Sequence, residues 1–373
     1  MLTNEIQSVQ IAVSKKHMPA FMINFMISFK CNLDCSYCES HDNLSIPIPL
    51  EVCKKTIDFI FRYTDLILSV KPKYEQAASL NLIGGEPFTH PDIEEILTYA
   101  NTLYKERYEH KWRLSVCLTT NGIAGNNLLK KCLPYVDKWT VSYHTESLPK
   151  QKELTLQNIH MLHQSSDNFE VRVMAPPDKD KFDDARSVHS LLISQGINAL
   201  MKPINTKEYG RDETRYLKSF WNNKNTDVDS TYSTEKGITC CSERPLVIDS
   251  NRKNPTNFIP MNNFEGWYCA LNWNFLHIDK NSRVFHNSSC HITYGSSKEE
   301  PIGTIDNYEE ILDRLKTQID NKTVPVVICP KQACQGCGMC ATKAKTKEEF
   351  EKLMKFHLTD TSILNYSLRS STG

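Results

Sequence analysis

Three cysteines stand within eight residues near the start of the chain, in the run CNLDCSYC, at Cys31, Cys35 and Cys38. The run follows directly after the apolar stretch 21–27, which has the composition of a buried β-strand. A structural zinc ion takes four protein ligands, and an ordinary cubane iron–sulfur cluster takes four cysteines. A triad with no fourth cysteine nearby therefore favours a four-iron cluster in which one iron stays open to bind another molecule.

The C-x3-C-x2-C spacing, with the aromatic Tyr37 immediately before the third cysteine, resembles the signature of the radical S-adenosylmethionine (radical SAM) enzymes. The resemblance implies that Cys31, Cys35 and Cys38 hold a [4Fe-4S] cluster. It also implies that the open iron chelates the amino and carboxylate groups of S-adenosylmethionine (SAM), and that Tyr37 belongs to the SAM-binding residues.

A second motif ends the apolar run 79–87 (SLNLIGGEP) with Gly84, Gly85, Glu86 and a proline. Glycine lets a ligand approach the backbone closely, and a carboxylate complements an ammonium group. The run resembles the GGEP motif that follows the second barrel strand of radical SAM enzymes, which implies that Gly84, Gly85 and Glu86 receive the methionine amino group. By itself the run is equally typical of a glycine turn before a helix, but its place after the cysteine triad favours the SAM site.

Strand-like and helix-like segments alternate from residue 21 to residue 204. The predicted strands are 21–27, the apolar part of 79–87, 113–122, 137–143, 170–175 and 198–204, and segments with helical spacing of apolar residues lie between them. This alternation predicts an α/β fold with a parallel sheet. Six strands are too few for a complete eight-stranded barrel. The resemblance implies a partial (βα)6 TIM-like barrel followed by a small cysteine-rich C-terminal domain.

Polar residues gather where the predicted strands end, and ligands of parallel sheets bind at that edge. The resemblance implies that Asn121, Ser142 and Arg172 bind SAM, with Ser142 at its ribose or carboxylate and Arg172 at its carboxylate. His144 and Glu146 follow the fourth strand and are candidate catalytic residues that face the substrate. The alternative for this pair is a surface histidine and a helix-capping glutamate.

A second group of cysteines occupies the C-terminal third of the chain. These are Cys269, Cys290, Cys329, Cys334, Cys337 and Cys340. A hairpin is predicted at 272–279 and 283–285, and a helix near 307–319. This order resembles the SPASM and twitch extensions of radical SAM enzymes, which implies at least one auxiliary [4Fe-4S] cluster. A zinc knuckle is the alternative, because C-x2-C spacings also serve zinc.

Not every cysteine is a candidate ligand. Cys53 and Cys132 fall on predicted helices and Cys117 inside a predicted strand, where a cysteine behaves as a small apolar residue, so we predict packing roles for all three. Cys240 and Cys241 are adjacent and poorly placed to ligate one metal together, although either one alone remains a candidate.

The 373 residues include 44 basic and 44 acidic side chains, which gives no sign of a general nucleic-acid binder. No apolar run is long enough to span a membrane, and the first residues lack a signal-peptide pattern, so we expect a soluble, cytoplasmic protein. In a reducing compartment clustered cysteines indicate metal rather than disulfides.

The predicted division is an N-terminal segment (1–20), the barrel (21–205), a polar linker or helix (206–235), the SPASM/twitch-like domain (236–345), and a C-terminal helix and tail (346–373).

The resemblance implies a radical SAM enzyme that takes an electron from a flavodoxin or ferredoxin and forms a 5′-deoxyadenosyl radical. That radical would abstract hydrogen from an unactivated carbon, giving oxidation, cross-linking, epimerisation or isomerisation of a peptide or small molecule. Because about twenty residues precede the first strand, we expect no leader-recognition domain, which favours a small substrate and keeps a nucleotide or modified nucleobase as an alternative. The remaining alternative is an inactive iron–sulfur or zinc scaffold or sensor.

Overall fold

The computed structural model describes residues 8–9, 21–38, 43–166, 168–176, 178–204, 266–286, 301–328 and 343–366. Within these ranges no helix is both long and apolar enough to cross a lipid bilayer.

The central feature is a sheet in which six parallel strands follow one another in chain order. After the short β1 (Ser8–Val9), these strands are β2 (Phe21–Ser28), β3 (Ala77–Gly84), β4 (Arg113–Thr120), β5 (Lys138–His144), β6 (Phe169–Ala175) and β7 (Ala199–Pro203). This confirms the predicted α/β fold with a partial TIM-like barrel. The carboxyl ends of all six strands meet at one edge of the sheet.

Helices connect the strands and cover one face of the sheet. They are α1 (Leu50–Ser69), α2 (Ile93–Arg107), α3 (Asn126–Cys132), α4 (Pro149–Ser165) and α5 (Lys179–Ser194). α4 begins with Pro149, which suits a first helical position because the N–H missing from proline has no intrahelical partner there. The Asp178 carboxylate begins α5 by accepting a hydrogen bond from the Lys181 backbone N–H.

The two faces of the barrel strands differ in polarity, because successive side chains of a strand point to opposite faces. In β2, Phe21, Ile23, Phe25 and Ile27 are fully buried in the core that the helices share. Burying each such side chain contributes roughly 1.5–3 kcal/mol. The opposite, inner face is polar, and there the Asn81 amide of β3 donates a hydrogen bond to the Asn24 side chain of β2 at 2.9 Å.

Two predicted packing cysteines are confirmed, since Cys53 and Cys132 are fully buried. Cys117 differs, because its position on β4 places it on the inner face, half-buried. Its sulfur lies 3.3 Å from the Ser79 hydroxyl.

The predicted hairpin is present, and it pairs with the barrel sheet. Its strands are β9 (Phe275–Ile278) and β10 (Arg283–Phe285), and β9 pairs in parallel with β2, with His277 opposite Asn24. In the turn between the two strands, Ser282 has a φ of 57°. The Asp279 carboxylate accepts hydrogen bonds from the backbone N–H groups of Asn281 and Arg283. With β11 (Gly303–Thr304) next to β10, the nine-stranded order is β11-β10-β9-β2-β3-β4-β5-β6-β7.

The remaining described elements pack around the hairpin side of the sheet. They are β8 (Tyr268–Cys269), α6 (Leu271–Asn274), β11 (Gly303–Thr304), α7 (Tyr308–Asp320), β12 (Val324–Pro325), β13 (Val327–Ile328), β14 (Lys343–Ala344), α8 (Lys347–Met354) and β15 (Leu364–Asn365). β8 lies between β13 and β14, and β14 also pairs with β1. The α7 helix packs against α1, where Arg62 forms an ion pair with Glu309.

Candidate radical SAM site

The cysteine loop, defined here as residues 29–38, leaves β2 at the carboxyl edge of the sheet. Cys35 is buried, and Cys31 and Cys38 are half-buried. The loop turns where the Cys38 backbone N–H donates to the Cys35 carbonyl at 3.0 Å. Leu33, Cys35, Tyr37 and Ile204 form a small apolar cluster that Cys31 and Cys38 contact. The three thiols therefore lie on one loop in surroundings that limit access of water.

Burial makes two of these thiols weaker acids. Burial raises the pKa of Cys31, and burial raises that of Cys35 to about 12. A thiolate at either position needs a nearby positive charge, and a coordinating metal deprotonates a thiol outright. In the described part of the chain, no three His, Cys, Asp or Glu side chains converge to hold one metal ion. A multi-iron cluster is compatible with that finding, because each of its cysteine ligands binds a different iron.

The GGEP backbone joins the cysteine loop directly. Gly85 N–H donates to the Ser28 carbonyl and Glu86 N–H donates to the Lys30 carbonyl, each at 2.8 Å. A Cβ at Gly84 would overlap the Ser28 carbonyl, and a Cβ at Gly85 would lie 2.5 Å from the Lys30 carbonyl oxygen. Both glycines are thus required for close contact between the end of β3 and the loop, a reason that the sequence pattern alone did not reveal.

Glu86 joins the ends of β3 and β4. Its side chain is 1% exposed. One carboxylate oxygen accepts from Phe88 N–H at 3.0 Å and from the Thr120 hydroxyl at 2.8 Å, and the other accepts from Asn121 N–H at 2.6 Å. Burial raises the pKa of Glu86 to about 7, although these hydrogen bonds oppose the shift. The carboxylate is therefore held in a defined position beside the cysteine loop.

Asn121 also contacts the cysteine loop. Its side-chain amide donates to the Asn32 side chain at 2.6 Å and lies 3.8 Å from the Cys31 sulfur. Asn32 in turn donates to the carbonyl of Ile123 at 2.8 Å. The sequence analysis missed Asn32. Its position directly after Cys31 could have indicated a role in the site.

His144 lies against the cysteine loop. Its Nδ1 is 2.6 Å from the Tyr37 hydroxyl and 3.4 Å from the Cys35 sulfur. The His144 and Tyr37 rings are stacked at an interplanar angle of 9°. Burial lowers the pKa of His144 to about 4. The histidine that we predicted to face substrate thus contacts one of the predicted cluster ligands.

Glu146 holds the middle of the cysteine loop. Its carboxylate accepts from the Ser36 N–H at 2.7 Å and from the Ser36 hydroxyl at 2.8 Å, and it also pairs with Lys181 of α5. Burial opposes ionisation, but the hydrogen bonds from Lys181 and Ser36 outweigh it and keep the pKa of Glu146 below its usual value. Ser36 and Lys181 are site residues that the sequence analysis missed. No sequence motif near Lys181 indicated that it would contact the site.

Ser142 and Arg172 lie opposite each other in the β5–β6 register, on the inner face. The Arg172 Nε donates to the buried carboxylate of Glu170 at 2.8 Å. Glu170 therefore orients the guanidinium, and it is a further residue that the sequence analysis missed. The predicted contacts of Ser142 and Arg172 with SAM stay predictions.

Solved structures with a similar chain path decide the fold. Histidine-tagged anSMEcpe with bound AdoMet (SAM) matches with a TM-score of 0.50 at 14% identity, covering 79% of this chain and 80% of that chain. Native anSMEcpe with bound AdoMet and Kp18Cys peptide matches with a TM-score of 0.51 at 13% identity, with the same coverage. This chain shares the fold of these structures. No protein-family model matches the sequence, and no curated protein matches it significantly.

The cysteines beyond β7 are described only in part. Cys269 is buried in β8. The other predicted ligands, Cys290, Cys329, Cys334, Cys337 and Cys340, lie outside the described residues, as do Cys240 and Cys241. The predicted auxiliary cluster and the domain boundaries therefore stay predictions.

Proposed function

We propose that this chain is a radical SAM enzyme in which Cys31, Cys35 and Cys38 hold the SAM-binding [4Fe-4S] cluster. One observation carries the proposal: the cysteine loop is hydrogen-bonded to the ends of three adjacent parallel strands. The contacts come from Glu86 after β3, from Asn121 after β4, and from His144 and Glu146 at and after β5. All of them lie at the edge where ligands of such sheets bind.

When bound, the cluster supplies one electron that cleaves SAM to methionine and a 5′-deoxyadenosyl radical, and this radical takes a hydrogen atom from the substrate. The chain binds and orients the reactants and keeps water away. A carboxylate offers about four acceptor positions. Glu86 uses three of them within the protein, and we propose the fourth as the acceptor for the methionine amino group. Ser142 and Arg172 supply hydrogen-bond donors for the ribose and the methionine carboxylate.

Peptides are the first substrate class to test. The support is a neighbour of similar fold that was solved as native anSMEcpe with bound AdoMet and Kp18Cys peptide. The polar inner face of the barrel, which carries Asn24 and Asn81, suits a substrate rich in hydrogen-bonding groups. We further propose a flavodoxin or ferredoxin as the electron donor.

The C-terminal cysteines are proposed to hold at least one auxiliary [4Fe-4S] cluster. The arrangement of the described strands supports this. In β8, Cys269 lies opposite Val327 of β13 on one side and Lys343 of β14 on the other. These strands lead into and out of segment 329–342, which contains four cysteines. The described residues Val327 and Lys343, on either side of that segment, thus both pair with Cys269.

The deciding experiment is anaerobic reconstitution with iron and sulfide, followed by addition of dithionite and SAM. We expect 5′-deoxyadenosine from the wild type and none from Cys35→Ala. We also expect about eight irons per chain if one auxiliary cluster is present. A colourless protein that carries zinc and forms no 5′-deoxyadenosine would instead support a scaffold or sensor.

A further inference from the structure

Tyr37, His144 and Cys35 form a triangle of polar atoms at the end of β5. The His144 Nδ1 lies 2.6 Å from the Tyr37 hydroxyl oxygen and 3.4 Å from the Cys35 sulfur. Tyr37 and Cys35 also belong to the same small buried cluster. Two hydrogen-bonding groups from different parts of the chain therefore meet at one thiol.

Two proton arrangements fit these distances. In the first, the proton on His144 is at Nε2, so Nδ1 accepts from the Tyr37 hydroxyl and neither group donates to sulfur. In the second, Nδ1 carries the proton and donates to the Tyr37 hydroxyl oxygen 2.6 Å away, which leaves the Tyr37 O–H free to donate to the Cys35 sulfur. A metal-bound thiolate has no proton and only accepts hydrogen bonds, so cluster binding favours the second arrangement.

We propose that His144 and Tyr37 are positioning residues that act through the Cys35 thiolate and raise the reduction potential of the SAM-binding cluster. This inference rests on the proposed function. Reduction adds negative charge to the cluster, and hydrogen bonds to its sulfurs offset that charge, so their loss makes the cluster harder to reduce. The contacts therefore help the cluster to accept the electron that SAM cleavage requires.

The structure itself explains how the two side chains are placed. His144 is the last residue of β5, where the strand alternation directs it to the inner face while its neighbour Tyr143 packs in the core. The Tyr37 ring is buried in the apolar cluster with Leu33 and Ile204. The stacking of the two rings, with centroids 6.1 Å apart, holds their polar atoms together.

The test is an anaerobic redox titration of the reconstituted protein, monitored by electron paramagnetic resonance, with three variants. His144→Phe keeps a ring that can stack on Tyr37 but has no N–H. Tyr37→Phe keeps the aromatic ring and loses the hydroxyl. His144→Asn retains an N–H donor close to the position of Nδ1. We expect the first two variants to shift the potential to more negative values, and His144→Asn to restore it toward the wild-type value.

The first proton arrangement predicts a different result. There, His144→Phe would release the Tyr37 hydroxyl to donate to sulfur and shift the potential to a more positive value, while Tyr37→Phe would leave it unchanged. Either of these results overturns the proposal, as does an unchanged potential in His144→Phe. Tyr37→Phe provides an independent measurement if His144→Phe does not retain the cluster.

His160 provides the matched control, because it hydrogen-bonds to the Leu156 carbonyl and to Gln195 on the helical layer, away from the cysteine loop. His160→Phe should have the wild-type potential. Cluster content and 5′-deoxyadenosine formation of the wild type show whether a negative result contradicts this inference alone or the proposed function as well. If it holds no cluster and forms no 5′-deoxyadenosine, the function is wrong. If it does both while the variants keep its potential, only the inference is wrong.

Discussion

The Glu146 carboxylate accepts hydrogen bonds from both the backbone N–H and the hydroxyl of Ser36, at 2.7 and 2.8 Å. Ser36 lies between Cys35 and Cys38, so this contact ties the middle of the cysteine loop to the segment after β5. Lys181 of α5 pairs with the same carboxylate. The loop that carries the predicted cluster ligands is therefore held by a residue that we first predicted to face substrate.

Glu146→Ala should weaken retention of the cluster. The change removes both acceptors of Ser36, which is exposed, and a typical intramolecular hydrogen bond contributes about 0.5–1.5 kcal/mol. We expect the variant to release iron to a chelator several-fold faster than the wild type under anaerobic conditions. Glu94→Ala is the control, since Glu94 forms an exposed pair with Lys131 and exposed pairs contribute little. Equal release rates from Glu146→Ala and the wild type would refute the role assigned to Glu146.

Gly85→Ala should displace the cysteine loop. A Cβ there would lie 2.5 Å from the Lys30 carbonyl oxygen, and backbone atoms cannot move aside cheaply. Overpacking of this kind costs about 1–3 kcal/mol, so we expect less iron per chain after reconstitution and weaker SAM binding in equilibrium dialysis. Gly125→Ala is the matched control, because nothing lies within 4 Å of a Cβ at that position. Wild-type iron content and SAM affinity in Gly85→Ala would contradict the described contact.

Lys71 should make stability depend on pH. Its side chain is buried, and burial lowers its pKa from 10.5 to about 8. Between these values the unfolded chain binds more protons than the folded chain, so the contribution of Lys71 to the free energy of unfolding rises with pH. The total rise from pH 8 to pH 10.5 is about 3 kcal/mol.

Lys71→Met isolates this effect from other titrating groups. Urea unfolding of both proteins at several pH values on either side of the lowered pKa gives the difference in their free energies of unfolding. We expect the wild type to gain stability relative to the variant above about pH 8. A difference that stays constant over this range would show that Lys71 has an ordinary pKa in the folded protein.

Cys269→Ser should separate the two proposed clusters. The residue lies in β8, outside the cysteine loop, so its loss should remove about four irons per chain and leave the SAM-binding cluster in place. We expect the variant to retain formation of 5′-deoxyadenosine, whereas Cys35→Ala loses it. Iron analysis and product chromatography on the same samples provide the measurement. An iron content equal to that of the wild type would exclude Cys269 as a required ligand.

Much of the fold could be predicted from sequence, because its signals are local. The alternation of apolar residues predicts the strands β2 to β7, and the helical spacing of apolar residues predicts the helices between them. The C-x3-C-x2-C triad and the GGEP run identified the loop and the turn that the structure places side by side. The observed bounds of the six barrel strands fall close to the predicted ones.

The partners of individual side chains could not be predicted in this way. The pairing of β9 with β2 had no local signal, because strand pairing depends on the path of the whole chain. Glu146 and Ser36 are 110 residues apart in sequence, and no local pattern records their contact. Gly85 likewise needs a small side chain because of a neighbouring loop, which only the packed structure reveals.

The sequence by itself thus determined the strand and helix segments, the group of thiols and the edge of the sheet where they lie, since these follow from short-range patterns and from the geometry of parallel strands. The tertiary structure decided that His144 and Glu146 face the cysteine loop, that Glu86 joins two strands, and that the hairpin extends the barrel. The physical reason is that hydrogen-bond partners are selected by strand register and chain packing, which bring together residues that are remote in sequence.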